Sequence, residues 1–172
     1  MSTELRLVAD LMCVAARTAP KTAGQDFVVT AVLEGEPCRE LGEAMIRFGE
    51  ESGKPNFDRD GKNVLASPLV VLIGIKDARP LGINCGACGS EECIKPNTLK
   101  AEFQGPQCAF RLLDMGIALG SAVKTAGMLN VDNRIMYRVG AIARRIGMID
   151  ADYVMGIPLS VTGKSIYFDR KP

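Results

Sequence analysis

The chain has 172 residues, 47% of them hydrophobic, which suits one domain with an ordinary core and leaves little for a second. Lys and Arg number 21 against 20 Asp and Glu, so no overall field draws the chain to nucleic acid or to an anionic membrane. The first ten residues carry Glu4, Arg6 and Asp10 and lack a signal-peptide pattern, and the longest apolar stretch, 65–75, is broken by Ser67 and Pro68, far short of the ~20 residues of a membrane helix; a cytoplasmic protein is expected.

In chain order, Leu5, Val8, Leu11, Met12, Ala15 and Ala16 recur at helical spacing and predict a helix that stops at Thr18-Ala19-Pro20. Residues 27–33, β-branched and aromatic between Gly24 and Gly35, predict a buried strand. Leu41, Ala44, Met45 and Phe48 line a second helix ending near Gly53. The polar segment 50–63, with Gly, Pro and Asn at turn positions, reads as a surface loop. Residues 69–75 (LVVLIGI) form an unbroken apolar run, as an interior strand requires.

From Cys108 to Met128 the pattern is helical again, and the small residues Gly116, Gly120 and Ala122 suggest close packing on a central helix, which would offset the ~1 kcal/mol that a mid-helix Gly costs. Asp132 is placed to cap a further helix through Ile135, Val139, Ile142 and Ile146, stopped by Gly147. A last strand spans 153–159. Helices and a few buried strands in one domain, 1–172, make the expected class α+β, with topology left open.

Six cysteines in a chain read as cytoplasmic argue for metal or redox chemistry rather than disulfides, and the absence of His means that any metal is held largely by sulfur. Cys85, Cys88 and Cys93 follow CxxCxxxxC spacing, and Cys108 comes fourteen residues later. A cubane needs one thiolate per iron; a short loop wraps three corners and a distant cysteine closes the fourth. Gly82, Gly86 and Gly89 supply the tight turns of this loop, 82–108. A [4Fe-4S] cluster is therefore the expected cofactor, and a structural zinc site on the same four thiolates is the alternative. Cys13 and Cys38 read as small buried hydrophobes.

The cysteine loop resembles the cluster domain of Rnf electron-transport B subunits and of the corrinoid iron–sulfur protein large subunit. Over nearly its whole length, through CVAARTAPKTAG at 13–24, the cysteine loop and DMGIALGSAVKTAGMLNVDNRIMYRVG at 114–140, the chain resembles a family of short prokaryotic ferredoxin-domain proteins of unknown function. The segment 15–33 is also similar to the APS-x-N-QPW segment and following strand of nitroreductases, while 114–127 and 154–171 resemble that fold's central helix and its last strand with basic tail. This second resemblance implies a nitroreductase-like fold, a homodimer, and FMN with Arg17, Lys21 and Thr22 facing its phosphate. The chain departs from nitroreductases in lacking their Arg-rich opening and in having Lys21 where they carry Ser.

Three functions follow as expectations: an FMN- and [4Fe-4S]-dependent oxidoreductase, a flavin-free electron carrier serving a redox partner protein, and a zinc-stabilised interaction module. No nucleic-acid or membrane partner is expected, and no residue stands out as a catalytic acid or base. Gly163-Lys164-Ser165 lacks the upstream glycine of a phosphate-binding P-loop. Arg134, Arg138, Arg144 and Arg145 read as a solvated helix face, and Asp150 with Asp152 lacks the histidine a hydrolytic site would want.

Overall fold

The apolar run at 69–75 sits at the centre of a four-stranded sheet, and every residue of this strand, β2 (Leu69–Ile75), is buried. The computed structural model describes residues 3–168. The other strands are β1 (Val28–Glu34), β5 (Asp132–Asn133) and β6 (Tyr153–Ser160), in the antiparallel order β1-β2-β6-β5. The register pairs Val28 with Ile75 and Ile75 with Tyr153. A two-stranded hairpin, β3 (Leu99–Lys100) with β4 (Gln104–Gly105), stands apart. The fold is a mixed α+β single domain, as expected.

Because side chains alternate along a strand, β2 serves two cores. Leu69, Val71, Ile73 and Ile75 pack under helices α1 (Thr3–Thr18) and α4 (Ala109–Met128). Val70 and Leu72 face α2 (Glu36–Ser52), α3 (Phe57–Leu65) and α5 (Tyr137–Arg145). The result is three layers, helices on both sides of the sheet.

The boundaries of α1, β1, α2, β2, α4 and β6 fall within about two residues of the sequence expectation. Three local expectations are corrected. The presumed loop at 50–63 contains the start of α3, because Phe57, Gly61 and Val64 are all buried. Its Gly61 is a contact residue rather than a turn: an added Cβ would lie 2.8 Å from the Gly42 carbonyl, so α2 and α3 cross backbone to backbone. Asp132 does not cap α5; it lies in β5, and Met136 is the N-cap. Gly116 and Gly120 do not pack tightly either, since among the described residues nothing lies within 4 Å of where their Cβ atoms would be.

Candidate functional site

Just past β2 the backbone enters left-handed geometry at Asp77 and again at Gly82, Asn84, Gly86 and Gly89, with φ from 47 to 85°. Glycine takes this region without cost and Asn and Asp tolerate it, so the loop can curl within a few residues. The Asn84 side chain accepts a hydrogen bond from the Cys93 N–H at 3.0 Å, and Gly89 N–H donates to Gly86 O at 2.9 Å. These contacts hold Cys85, Cys88 and Cys93 on one turn of chain.

Cys108 reaches the same place from the far end of the loop, as N-cap of α4, with its carbonyl accepting from the N–H groups of Arg111 and Leu112. All four cysteines line one cavity, walled by Pro80, Leu81, Ile83 and Ile94. Cys85 and Cys88 are exposed, Cys93 is half-buried and Cys108 is buried. Among the described residues no three His, Cys, Asp or Glu side chains gather as ligands of a single ion. The cavity also abuts the first turn of α4, whose free N–H groups and positive dipole end favour a negatively charged group. Four thiols, apolar walls and a helix N-terminus fit a thiolate-ligated cluster.

The loop is tied to the sheet by Asp152, which is 1% exposed. Its carboxylate accepts from Asp77 N–H at 2.6 Å and Asn97 Nδ2 at 2.9 Å, and its carbonyl accepts from Gln104 N–H at 2.8 Å. Gln107 donates to Asn97 Oδ1 and to Gln104 O, so both ends of the loop are fixed through one carboxylate. Asp152, paired with Asp150 in the sequence reading, thus anchors the loop, while Asp150 sits on the surface in an ion pair with Lys76.

The three residues expected to face a phosphate come together where α1 ends, but each has an internal partner. Arg17 donates to Asp26 at 2.8 Å and to Val28 O at 2.7 Å. Lys21, its side chain 5% exposed, donates to the carbonyls of Ala16 and Arg17 and lies 3.7 Å from Asp26. Burial disfavours the charged form of Asp26, yet the hydrogen bonds from Arg17 and Val28 N–H and the charge of Lys21 outweigh it and hold the carboxyl below its usual pKa. Thr22 gives both its N–H and its hydroxyl to Asp114 Oδ1, each at 2.7 Å.

Behind this turn lies a residue the sequence reading passed over. Arg111 is 1% exposed and is among the largest fully buried side chains. It pairs with Asp114 at 3.1 Å, donates to Thr22 O, Gln25 Oε1 and Arg79 O, and stacks 4.8 Å over the Phe27 ring. One guanidinium therefore joins the 17–26 turn, the start of α4 and the entry to the cysteine loop. A signal existed: Arg111 and Asp114, three apart, are the only charges in α4 before Lys124.

Of the four arginines read as a solvated face, Arg145 is exposed and the other three are bound. Arg138 pairs with buried Asp60 at 3.0 Å, Arg144 donates to Ala151 O and Glu102 O, and Arg134 donates to Tyr167 O. Of the basic tail, Arg170 and Lys171 lie outside the described residues. No described helix is long and apolar enough to cross a membrane.

A family model described as "Uncharacterized protein containing a ferredoxin domain (DUF2148)" matches residues 104–170, a stretch that includes Cys108 and begins after the other three cysteines. An uncharacterized protein of Archaeoglobus fulgidus is 48% identical over 171 residues, covering 98% of this chain and 92% of that one. Among solved structures, the FMN-dependent nitroreductase NfnB from Mycobacterium smegmatis superposes with a TM-score of 0.63 at 11% identity, over 97% of this chain and 83% of that one. A nitroreductase with bound FMN from Desulfitobacterium hafniense gives 0.55 at 15%, over 95% and 80%. At such identities the likeness is one of fold.

Proposed function

The chain belongs to the family of uncharacterized proteins that contain a ferredoxin domain, and from that premise we propose that it is a redox protein holding a [4Fe-4S] cluster through Cys85, Cys88, Cys93 and Cys108 and using FMN as a second cofactor. The observation that carries the first half is the meeting of four thiols from two separate segments at one cavity beside the α4 N-terminus. The cluster would supply one-electron chemistry; the chain's own part is to hold the thiolates, wall them with Pro80, Leu81, Ile83 and Ile94, and orient them through Asn84 and Asp152.

The flavin half rests on the nitroreductase-like fold and on the cations at 17–21. A phosphate there would compete with Asp26 for Arg17, while Thr22 stays with Asp114. The second reading, a flavin-free electron carrier, is favoured by that same internal pairing and by the exposure of Cys85 and Cys88, which would leave a cluster open to a partner protein.

Anaerobic purification separates these readings. An absorption shoulder near ~400 nm that dithionite bleaches, with about four irons per chain, is expected. Cys108→Ser and Cys88→Ser should each lose most of the iron. Releasable flavin, diminished in Arg17→Ala and Lys21→Ala, marks the FMN protein; iron without flavin marks the carrier. A colourless protein with one zinc would overturn both.

A homodimer is proposed as well, and the outer surface of the α1/α4 layer supports it. Opposite its buried stripe of Leu5, Ala9, Met12 and Ala16, α1 exposes Leu7, Leu11 and Val14. Opposite its own, α4 exposes Leu113, Ile117 and Met128, beside Gly116 and Gly120, with Lys124 its one exposed charge. A helix apolar on both sides is covered on both sides. Two helices, the longer ~30 Å, offer ~600 Å² of face, near the ~800 Å² per partner of a stable interface. An apolar face of that size, with Lys124 the one exposed charge on α4, fits a second copy better than a transient redox partner. Sedimentation is expected to find a dimer at micromolar concentration and a monomer for Ile117→Glu; a monomeric parent would overturn this.

A further inference from the structure

Across the sheet from α1 and α4 lies a cleft of about 500 Å³, within the ~300–1,000 Å³ of small-molecule sites. Four segments build it: Phe48 on α2, the β3–β4 hairpin, the end of α5, and the loop 147–151. The hairpin is also part of the cysteine loop, ending three residues before Cys108.

The charges in this cleft are sorted. Its two carboxylates are matched by lysines that do not line it, Glu102 by Lys54 and Asp150 by Lys76. Its three cations meet no described carboxylate within ion-pair distance. Arg144 donates to two backbone carbonyls, Ala151 O at 2.9 Å and Glu102 O at 3.3 Å. Arg145 is exposed, its guanidinium 5.0 Å over the Phe48 ring, and Lys100 is exposed on the hairpin. Arg144 and Arg145 also offset the negative dipole end of α5, which would otherwise repel an anion.

Apart from Gln104, the rest of the wall is apolar and includes one flat surface. Ile142, Ile149 and Ala151 are buried residues with edges on the cleft, and the Phe48 ring is half-buried. Cations grouped around an aromatic plate match a ligand with a flat apolar body and an oxyanion head, the body taking the face of the Phe48 ring that Arg145 now covers and the head lying among Lys100, Arg144 and Arg145.

We propose that this cleft binds small planar organic anions, aromatic or heterocyclic carboxylates or phosphates, at a site separate from the cysteine cavity and from the 17–26 turn. The site does not depend on which cofactors the protein carries, so it stands or falls apart from the redox reading.

The test is calorimetric titration of the anaerobically purified full chain with phenyl phosphate, benzoate and inorganic phosphate at low ionic strength. Saturable binding of phenyl phosphate or benzoate is expected, the tighter of the two naming the head group. Lys100→Gln and Arg145→Gln, both at exposed positions that leave the fold alone, should each weaken it about tenfold, and Phe48→Leu should bring the aromatic probe to the level of inorganic phosphate. Arg39→Gln, at an exposed ion pair elsewhere, should change nothing. No saturable binding of either aromatic probe, binding unchanged in both charge variants, or inorganic phosphate binding as well as phenyl phosphate to the parent would overturn the proposal.

Discussion

Arg111→Met is expected to cost the fold about 3–5 kcal/mol, the usual penalty for removing one member of a buried ion pair. Methionine matches the length of the side chain, so packing volume is not the main loss. What is lost is the counter-charge of Asp114, 3% exposed, and the donor to three further oxygens, Thr22 O, Gln25 Oε1 and Arg79 O. Asp114 would keep only the N–H and hydroxyl of Thr22. In a domain of this size the melting temperature should fall by roughly 6–20 °C. The double variant Arg111→Met with Asp114→Leu should recover a good part of it, because a buried pair replaced whole by apolar groups is often nearly neutral. A single-variant cost under ~1.5 kcal/mol in urea unfolding would mean that water reaches Asp114 and that the network is not what holds the 17–26 turn to α4.

Gly140→Ala should be nearly as damaging, against what helix propensity alone predicts. In an open helix the change would stabilise by up to ~1 kcal/mol. Here α5 lies directly on β6: Met136 and Gly156 exchange backbone hydrogen bonds at 2.8 and 3.1 Å, and a Cβ on Gly140 would fall 2.0 Å from the Val154 carbonyl oxygen. That oxygen belongs to the sheet and cannot rotate away. Helix α5 would have to lift, loosening Val139 and Ile142 in the second core, at a cost of about 3 kcal/mol or more. Thermal denaturation of the variant decides it; an unchanged or raised melting temperature would mean that the helix slides without loss.

Much of the fold was legible because its signals are local. The run at 69–75 reads as an interior strand, and Leu5, Val8, Leu11, Met12, Ala15 and Ala16 predict the first helix, whose buried face in the fold is Leu5, Ala9, Met12 and Ala16. What misled were residues whose role depends on a distant neighbour. Gly61 and Asn63 suggest a turn until Gly42 lies against the former, and Gly116 and Gly120 suggest tight packing although no described residue lies within 4 Å of where their Cβ atoms would be. Leu11, counted with the inner face of α1, is 41% exposed on the outer one, since a spacing of three or four residues does not say which of two apolar stripes meets the sheet.

For the candidate site, the sequence alone picked out the candidate ligands: four cysteines, no histidine, and glycines where the backbone must turn left-handed, all of which are matters of composition and short spacing. Only the tertiary structure decided that Cys108 joins the other three, that Asp152 and Arg111 hold the loop from either side, and that Arg17 and Lys21 already answer to Asp26. The physical reason is range. Backbone preference and hydrophobic period act within a few residues, whereas a buried charge is satisfied by whatever partner the packed chain brings to it, 55 residues away for Asn97 and Asp152 and 92 for Thr22 and Asp114.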